Sequence, residues 1–226
     1  MSVVEELCAH ATRLRGDGYA DEAHAALVRA VTLDGDHPLA LAGLRDSLLV
    51  RRRFDAALVL ARRVVELAPH DGVQWDRLGC ALMSLDRFDE ARSALDRALK
   101  LAPDNPTHWH QAALLAHRTG DHAAALRYAV EARSLDPYGV NLRHDLAHFK
   151  LALGDDLADA LMEYEVRWES LHHLAPWDLH LPEWRGAPLA GKRLLLHSEQ
   201  GLGDAIMLAR FARDLIRSGA AEVGLC

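Results

Sequence analysis

The stretch from Gly72 to Asn105, GVQWDRLGCALMSLDRFDEARSALDRALKLAPDN, decides the fold of this chain. Trp75, Leu78, Gly79 and Leu82 recur at helical spacing before Asp86, and Phe88, Ala91, Leu95, Ala98 and Leu101 recur after it. That pattern predicts two amphipathic helices joined by a short turn. Gly79 and Ala91 carry little or no side chain, so the helix axes can approach closely, while Trp75 and Phe88 fill the space left over. Pro103 ends the second helix, because it cannot donate to the ladder and pushes its predecessor out of the α region.

The same pattern recurs along the chain at a step of 34 residues: Ala23, Ala57, Ala91 and Ala125 form one column, and Leu7, Leu41, Trp75 and Trp109 another. Ala30, Val64, Ala98 and Ala132 form a third, and Leu33, Leu67, Leu101 and Leu135 a fourth. Pro69 and Pro137 match Pro103, and Gly35 takes that place in the first unit. From Trp75 through Gly79, Phe88, Ala91 and Ala98 to Pro103, these residues resemble the tetratricopeptide repeat. Four regular units are expected at 4–37, 38–71, 72–105 and 106–139, with an irregular fifth at 140–170. In that last unit Leu146, Ala147 and Gly154 keep register, but Asp159 stands where a small residue belongs, and Ala160 replaces it after a one-residue insertion near Asp156. Terminal repeats depart from the pattern because one face has no neighbour.

Composition narrows the classes. The chain is 226 residues long, 50% hydrophobic and 26% charged, enough to bury an extended core without metal or disulfide support. Cys8, Cys80 and Cys226 are isolated, and Glu5 and Glu6 stand where a secretory leader needs positive charge, so the cytoplasm is the expected compartment. No run of the sequence has the length of a membrane span. A formal charge of -7 opposes general affinity for nucleic acid.

Stacked helix pairs curve into a superhelix whose inner groove is lined mainly by the first helix of each unit and takes a peptide or partner helix. The repeat register nominates Asp46, Asp76, His110, His117, Arg118, His144 and His148 as groove residues, giving a mixed-charge, histidine-rich surface for a protein or peptide. The basic clamp with which some tetratricopeptide proteins hold a peptide carboxylate is replaced here by Ala42, Asp46, Asp76, Cys80, His110 and Leu114. An asparagine ladder is missing too, since Asn105 and Asn141 are the only asparagines. His144 and His148 stand one helical turn apart, and His108 and His110 flank Trp109. His108 and His110 point to different sides of their helix, and the sequence offers no cysteine or carboxylate to complete a compact set, so no metal site is assigned. Imidazoles that titrate near pH ~6.5 would make partner binding pH-sensitive.

After Ser170 the helical period stops. Residues 171–191 hold Pro176, Pro182, Pro188, Trp177 and Trp184 and read as an ordered linker whose tryptophans pack. In 192–226, RLLLH at 193–197 has strand length, EQGLGD at 199–204 forms a glycine-containing turn, 205–218 reads as an amphipathic helix capped by Gly219, and 222–226 reads as a second strand. Strand, helix and strand in this order open a parallel α/β domain. The segment WRGAPLAGKRLLLHSEQGLGDAIMLARF from Trp184 to Phe211, preceded by YEVRW from Tyr164 to Trp168, resembles the junction in bacterial proteins that join tetratricopeptide repeats to a glycosyltransferase-like domain. That domain is similar to the heptosyltransferase group and more distantly to O-linked N-acetylglucosamine transferases.

The resemblance implies a mainly α chain: a tetratricopeptide solenoid followed by the β-α-β start of a Rossmann-like, GT-B type domain. It also implies a nucleotide-sugar donor for a complete enzyme, bound by a half missing from this sequence, and no cofactor in the chain itself. By the same resemblance Asp204 is the candidate general base on an acceptor hydroxyl, with Glu199, Gln200, Gly201 and Gly203 as ligand-binding neighbours. An aspartate there also serves as a plain helix N-cap, and His197 at the strand end is a further candidate. Because the sequence stops within an apparent strand, the expectation is the N-terminal portion of a longer transferase, inactive as it stands. The alternative is a stand-alone interaction module with a non-catalytic tail.

Overall fold

The computed structural model describes residues 2–154, 157–164, 166, 181–182, 184–196 and 209–225. The chain divides into two units, Met1–Ser170 and Leu171–Cys226.

The first unit is built of helix pairs. Its first helices are α1 (Val3–Gly16), α3 (Pro38–Val50), α5 (Gly72–Met83), α7 (Pro106–Arg118) and α9 (Val140–Leu153). Its second helices are α2 (Ala20–Leu33), α4 (Phe54–Leu67), α6 (Phe88–Leu101), α8 (His122–Leu135) and α10 (Leu157–Tyr164). Each second helix packs mainly on the first helix of its own unit and then on that of the next. The alanine column is the seam: Ala57, Ala91 and Ala125 are 0% exposed, and Ala160 joins them at 0%. α10 starts one residue late against the period, which is how the inserted residue before it is absorbed and why Ala160 rather than Asp159 faces inward.

The close approach in the third unit can be measured. A Cβ placed on Gly79 would come within 2.8 Å of both Cγ and Cδ2 of Leu95, which is itself buried in the core of α4, α5 and α6. Gly43 on α3 gives similar room to Leu27 on α2 of the preceding unit.

Each helix pair turns through one left-handed residue. Gly18, Arg52, Asp86, Gly120 and Gly154 all have positive φ and stand 34 residues apart. The turn is tight because the residue after the left-handed position returns its N–H into the first helix: Arg53 donates to Leu48, Arg87 to Leu82 and Asp121 to Ala116. Arg52 and Asp86 hold this conformation at φ 57° and 56° with a Cβ that disfavours it. Between units, Asp71 and Asn105 cap α5 and α7 through their side chains, and Pro38 and Pro106 open α3 and α7 where a missing N–H costs nothing. The unit boundary is locked twice in the same way, since Trp75 Nε1 donates to the Pro69 carbonyl at 2.9 Å and Trp109 Nε1 to that of Pro103 at 2.7 Å.

In the second unit, β1 (Arg193–Leu196) and β2 (Glu222–Leu225) pair in parallel, Arg193 opposite Glu222 and Leu196 opposite Leu225. The six-residue helix α11 (Ala212–Arg217) lies between them in sequence and ends at Ser218, with Gly219 at φ 106° returning its N–H to Ile216. The predicted helix over 205–218 is therefore seen only from its C-terminal part, its start lying outside the described residues. Trp184 corrects the expectation for the linker tryptophans: it is 41% exposed, and its indole N–H bonds to the nearby Ala187 carbonyl. A stretch of chain this short satisfies the indole locally without burying the ring. Trp177 lies outside the described residues. Among the described residues no helix is long and apolar enough to cross a membrane.

Candidate functional site

Among the described residues, successive first helices touch, α1 against α3 and α5 against α7, whereas successive second helices make no comparable contact. First helices thus approach one another across units where second helices do not, as the expected inner face requires. Their polar side chains pair across units. Arg45 on α3 is 2% exposed, with its guanidinium bonded to Asp46 at 2.9 Å and to Gln74 on α5 at 2.7 Å. Asp46 stays 36% exposed, tied to a buried arginine.

Asp76 is a correction. It is 1% exposed and faces His108 on α7, also 1% exposed, with Oδ1 and Nδ1 3.3 Å apart in an orientation outside hydrogen-bond geometry. Burial raises the Asp76 carboxyl above its ordinary range, against the opposing pull of His108. The acid lies buried against α7 and not on an open surface, and Gly72 gives its partner room: a Cβ there would meet His108 Nε2 at 3.2 Å. Arg118 is a second correction. Its Nη1 donates to the Met83 carbonyl and its Nη2 to Asp86, both in the turn of the preceding unit, and the guanidinium lies 5.1 Å over the Phe88 ring. It clips one unit to the last, holding the strained Asp86 turn in place.

The remaining nominated residues gather on α7 and α9. His110 Nε2 lies 2.7 Å from Asp145 Oδ2. Burial alone would raise the Asp145 carboxyl, but the His110 hydrogen bond and the charges of His110, His144 and His148 outweigh it and lower the pKa. His144 Nδ1 is 3.6 Å from the other Asp145 oxygen. His148 Nδ1 is 3.0 Å from the His144 carbonyl. A carbonyl can only accept, so Nδ1 carries the proton and the lone pair of the neutral ring sits on Nε2. Tyr164 on α10 stacks on His144 at 5.5 Å and meets His148 edge-on at 5.1 Å. The ligand atoms of His144, Asp145 and His148 lie within 4.8 Å of one another. A carboxylate does complete a compact set, contrary to the expectation from sequence, because it comes from α9 itself and is held by a histidine one unit away.

His117 takes a different place, with Nδ1 3.2 Å from His122 Nδ1 on α8 and its ring against Phe149. Burial and the neighbouring His122 and His148 lower its pKa. Sequence reading passed over Arg45, Gln74, Asp145, His122 and Tyr164. One signal was available: Asp145 follows His110 by 35 residues, one period plus one. Glu199, Gln200, Gly201, Gly203, Asp204 and His197 lie outside the described residues.

Comparison with known proteins bears on the helical unit first. The family profile "Tetratricopeptide repeat" matches residues 77–140. Protein FlbA of Caulobacter vibrioides is 30% identical over 201 residues, covering 87% of this chain and 33% of FlbA. The chain thus spans about a third of that relative's length. Among solved structures, the thermophilic TPR protein TTC0263 of Thermus thermophilus aligns with a TM-score of 0.67 at 23% identity, covering 79% of this chain and 94% of that one. A chain of the APC/C hetero-tetramer Cut9-Hcn1 aligns with a TM-score of 0.69 at 16% identity, covering 75% of this chain and 34% of its own. At these identities the two structures speak for the fold alone. The buried alanine column and the left-handed turn of every unit carry the helix-pair pattern, which the tetratricopeptide profile matches at residues 77–140, along the whole of the first unit.

Proposed function

We propose that residues 1–170 are a scaffold that binds a protein or peptide along the inner face of α3, α5, α7 and α9. The carrying observation is the run of polar side chains on consecutive first helices, Asp46, Gln74, His110, Asp145 and His144, linked within and between units by Arg45 and by the His110–Asp145 contact. Such a surface offers a partner fixed hydrogen-bonding groups at the spacing of successive repeats. A partner with hydroxyl, amide or mixed-charge side chains suits it better than a strongly acidic tail, since Arg45 and Arg118 are already paired. The cytoplasm belongs to the same reading, with Cys8 and Cys80 as free thiols.

The test is capture of partners from source-cell extract by the purified chain, compared with Asp46→Ala, His110→Ala and the second-helix control Arg92→Ala. The expected result is one partner lost with both inner-face variants and kept with Arg92→Ala. Retention by both inner-face variants would refute the choice of face.

A second element of the proposal concerns the longer protein: the repeats serve a glycosyltransferase-like domain that begins after them. Two observations favour it. The segment from Trp184 to Phe211 resembles such a junction, and β1 and β2 pair in parallel with α11 between them in sequence. In that reading Asp204 is the general base, Glu199, Gln200, Gly201 and Gly203 hold ligand beside it, and a nucleotide-sugar is the donor. Sugar transfer from a nucleotide-sugar by the full natural protein, abolished by Asp204→Ala with partner capture intact, is the expected result. Transfer undiminished in Asp204→Ala would overturn the assignment of the base.

A further inference from the structure

We propose that α9 carries a binding site for a late first-row divalent metal ion, Zn2+ or a neighbour of similar chemistry, formed by His144, Asp145 and His148. The donor set comes first. Two imidazoles and one carboxylate are a set that suits Zn2+, Co2+, Ni2+ and Cu2+ and disfavours Mg2+ and Ca2+, which take oxygen ligands. Their ligand atoms already stand within 4.8 Å of one another. Bonds of about 2.0–2.2 Å would bring them to roughly 3.3 Å apart in a tetrahedron, a displacement that side-chain rotation supplies.

Orientation is the second argument. The His148 Nδ1 to His144 carbonyl contact at 3.0 Å directs the ring's lone pair to Nε2, the tautomer a metal needs. His110 holds Asp145 Oδ2 at 2.7 Å, leaving Oδ1 turned toward His144. This is the outer support that fixes ligating carboxylates, and here it arrives from a neighbouring repeat. Tyr164 packs on both imidazoles, 5.5 Å from His144 and 5.1 Å from His148, which limits how far either ring can swing. An incidental pair of histidines on a helix surface has no such buttressing. Three protein donors leave at least one position for water or for a side chain of a bound partner.

The experiment is calorimetric titration of the chelator-treated chain with Zn2+, together with the visible spectrum after adding Co2+. One equivalent of Zn2+ should bind, at least about tenfold more weakly in His144→Ala and His148→Ala and unchanged in the control His70→Ala. His110→Ala and Asp145→Asn should each weaken binding by about 10- to 100-fold, the range for supporting groups and for loss of a charged ligand. Co2+ should give ligand-field bands without a thiolate charge-transfer band, a readout on the native chain that holds even where a variant fails to fold. Absence of 1:1 binding, or binding equal in His144→Ala, His148→Ala and the native chain, overturns the site. Binding that depends on both histidines but is indifferent to His110 and Asp145 overturns the built site in favour of a bare surface pair.

Discussion

Replacing Gly79 by alanine tests the packing on which the central repeat depends. In an isolated helix the change is favourable, because alanine is better than glycine in a helix interior by about 0.5–1 kcal/mol. In this protein the new methyl would stand 2.8 Å from both Cγ and Cδ2 of Leu95, where carbon atoms settle at about 3.5–4.0 Å. Leu95 is 1% exposed and ringed by Leu78, Leu82 and Ala91, so it cannot move without disturbing them. Overpacking of this kind costs about 1–3 kcal/mol. The expected net effect is a loss of about 1 kcal/mol, opposite in sign to helix propensity. The decisive comparison is the same substitution in a Leu95→Ala background. Leu95→Ala alone should cost about 2–5 kcal/mol through the cavity it leaves. With that space open, Gly79→Ala should stabilise by about 0.5–1 kcal/mol, giving a coupling of about 1–3 kcal/mol, well above the ~0.5 kcal/mol scatter of independent sites. Urea denaturation followed by far-ultraviolet circular dichroism measures all four proteins. A Gly79→Ala protein more stable than the native chain, with no coupling to Leu95, would refute the claim that α5 sits on α6 through this glycine.

Three further outcomes are expected. Gly120→Ala should destabilise by about 1 kcal/mol through its φ of 83° alone, since nothing lies within 4 Å of the added Cβ, and Arg52→Gly should be neutral or stabilising in the same denaturation assay. Trp75→Phe and Trp109→Phe should each cost about 0.5–1.5 kcal/mol by removing the indole bond to the preceding proline carbonyl, more if that carbonyl is left dry. Asp76→Asn tests the buried acid. A carboxyl whose pKa is raised on folding contributes stability that is fully present below its unfolded pKa and is lost as pH rises through the folded value. The asparagine variant lacks that loss, so its stability relative to the native chain should improve from about pH 3 to about pH 7 in paired denaturation curves. A flat or falling difference would show that His108 fully compensates the buried charge.

The repeat was legible in the sequence because it is carried by local spacing. A small residue every 34 positions, apolar residues at helical intervals and a proline after three of the second helices act within one unit or between equivalent places, and no partner has to be known to read them. Even the slipped register before α10 could be read from where Ala160 and Asp159 fall. The left-handed column was half hidden, because Arg52 and Asp86 occupy two of its five places without the glycine that marks the others.

What tertiary structure decided is the fate of each polar side chain on the inner helices. Asp76 and His110 hold equivalent positions in the repeat and Asp46 stands one helical turn later on its own helix, yet the last stays on the surface beside a buried arginine, Asp76 is buried against His108 and His110 reaches Asp145. The sequence by itself determined the helices, their pairing and the direction in which they stack. Which acid meets which imidazole depends on the tilt and offset between successive units. A displacement of one residue along a first helix turns a side chain by roughly 100°, and that is enough to exchange an open groove for a buried interface.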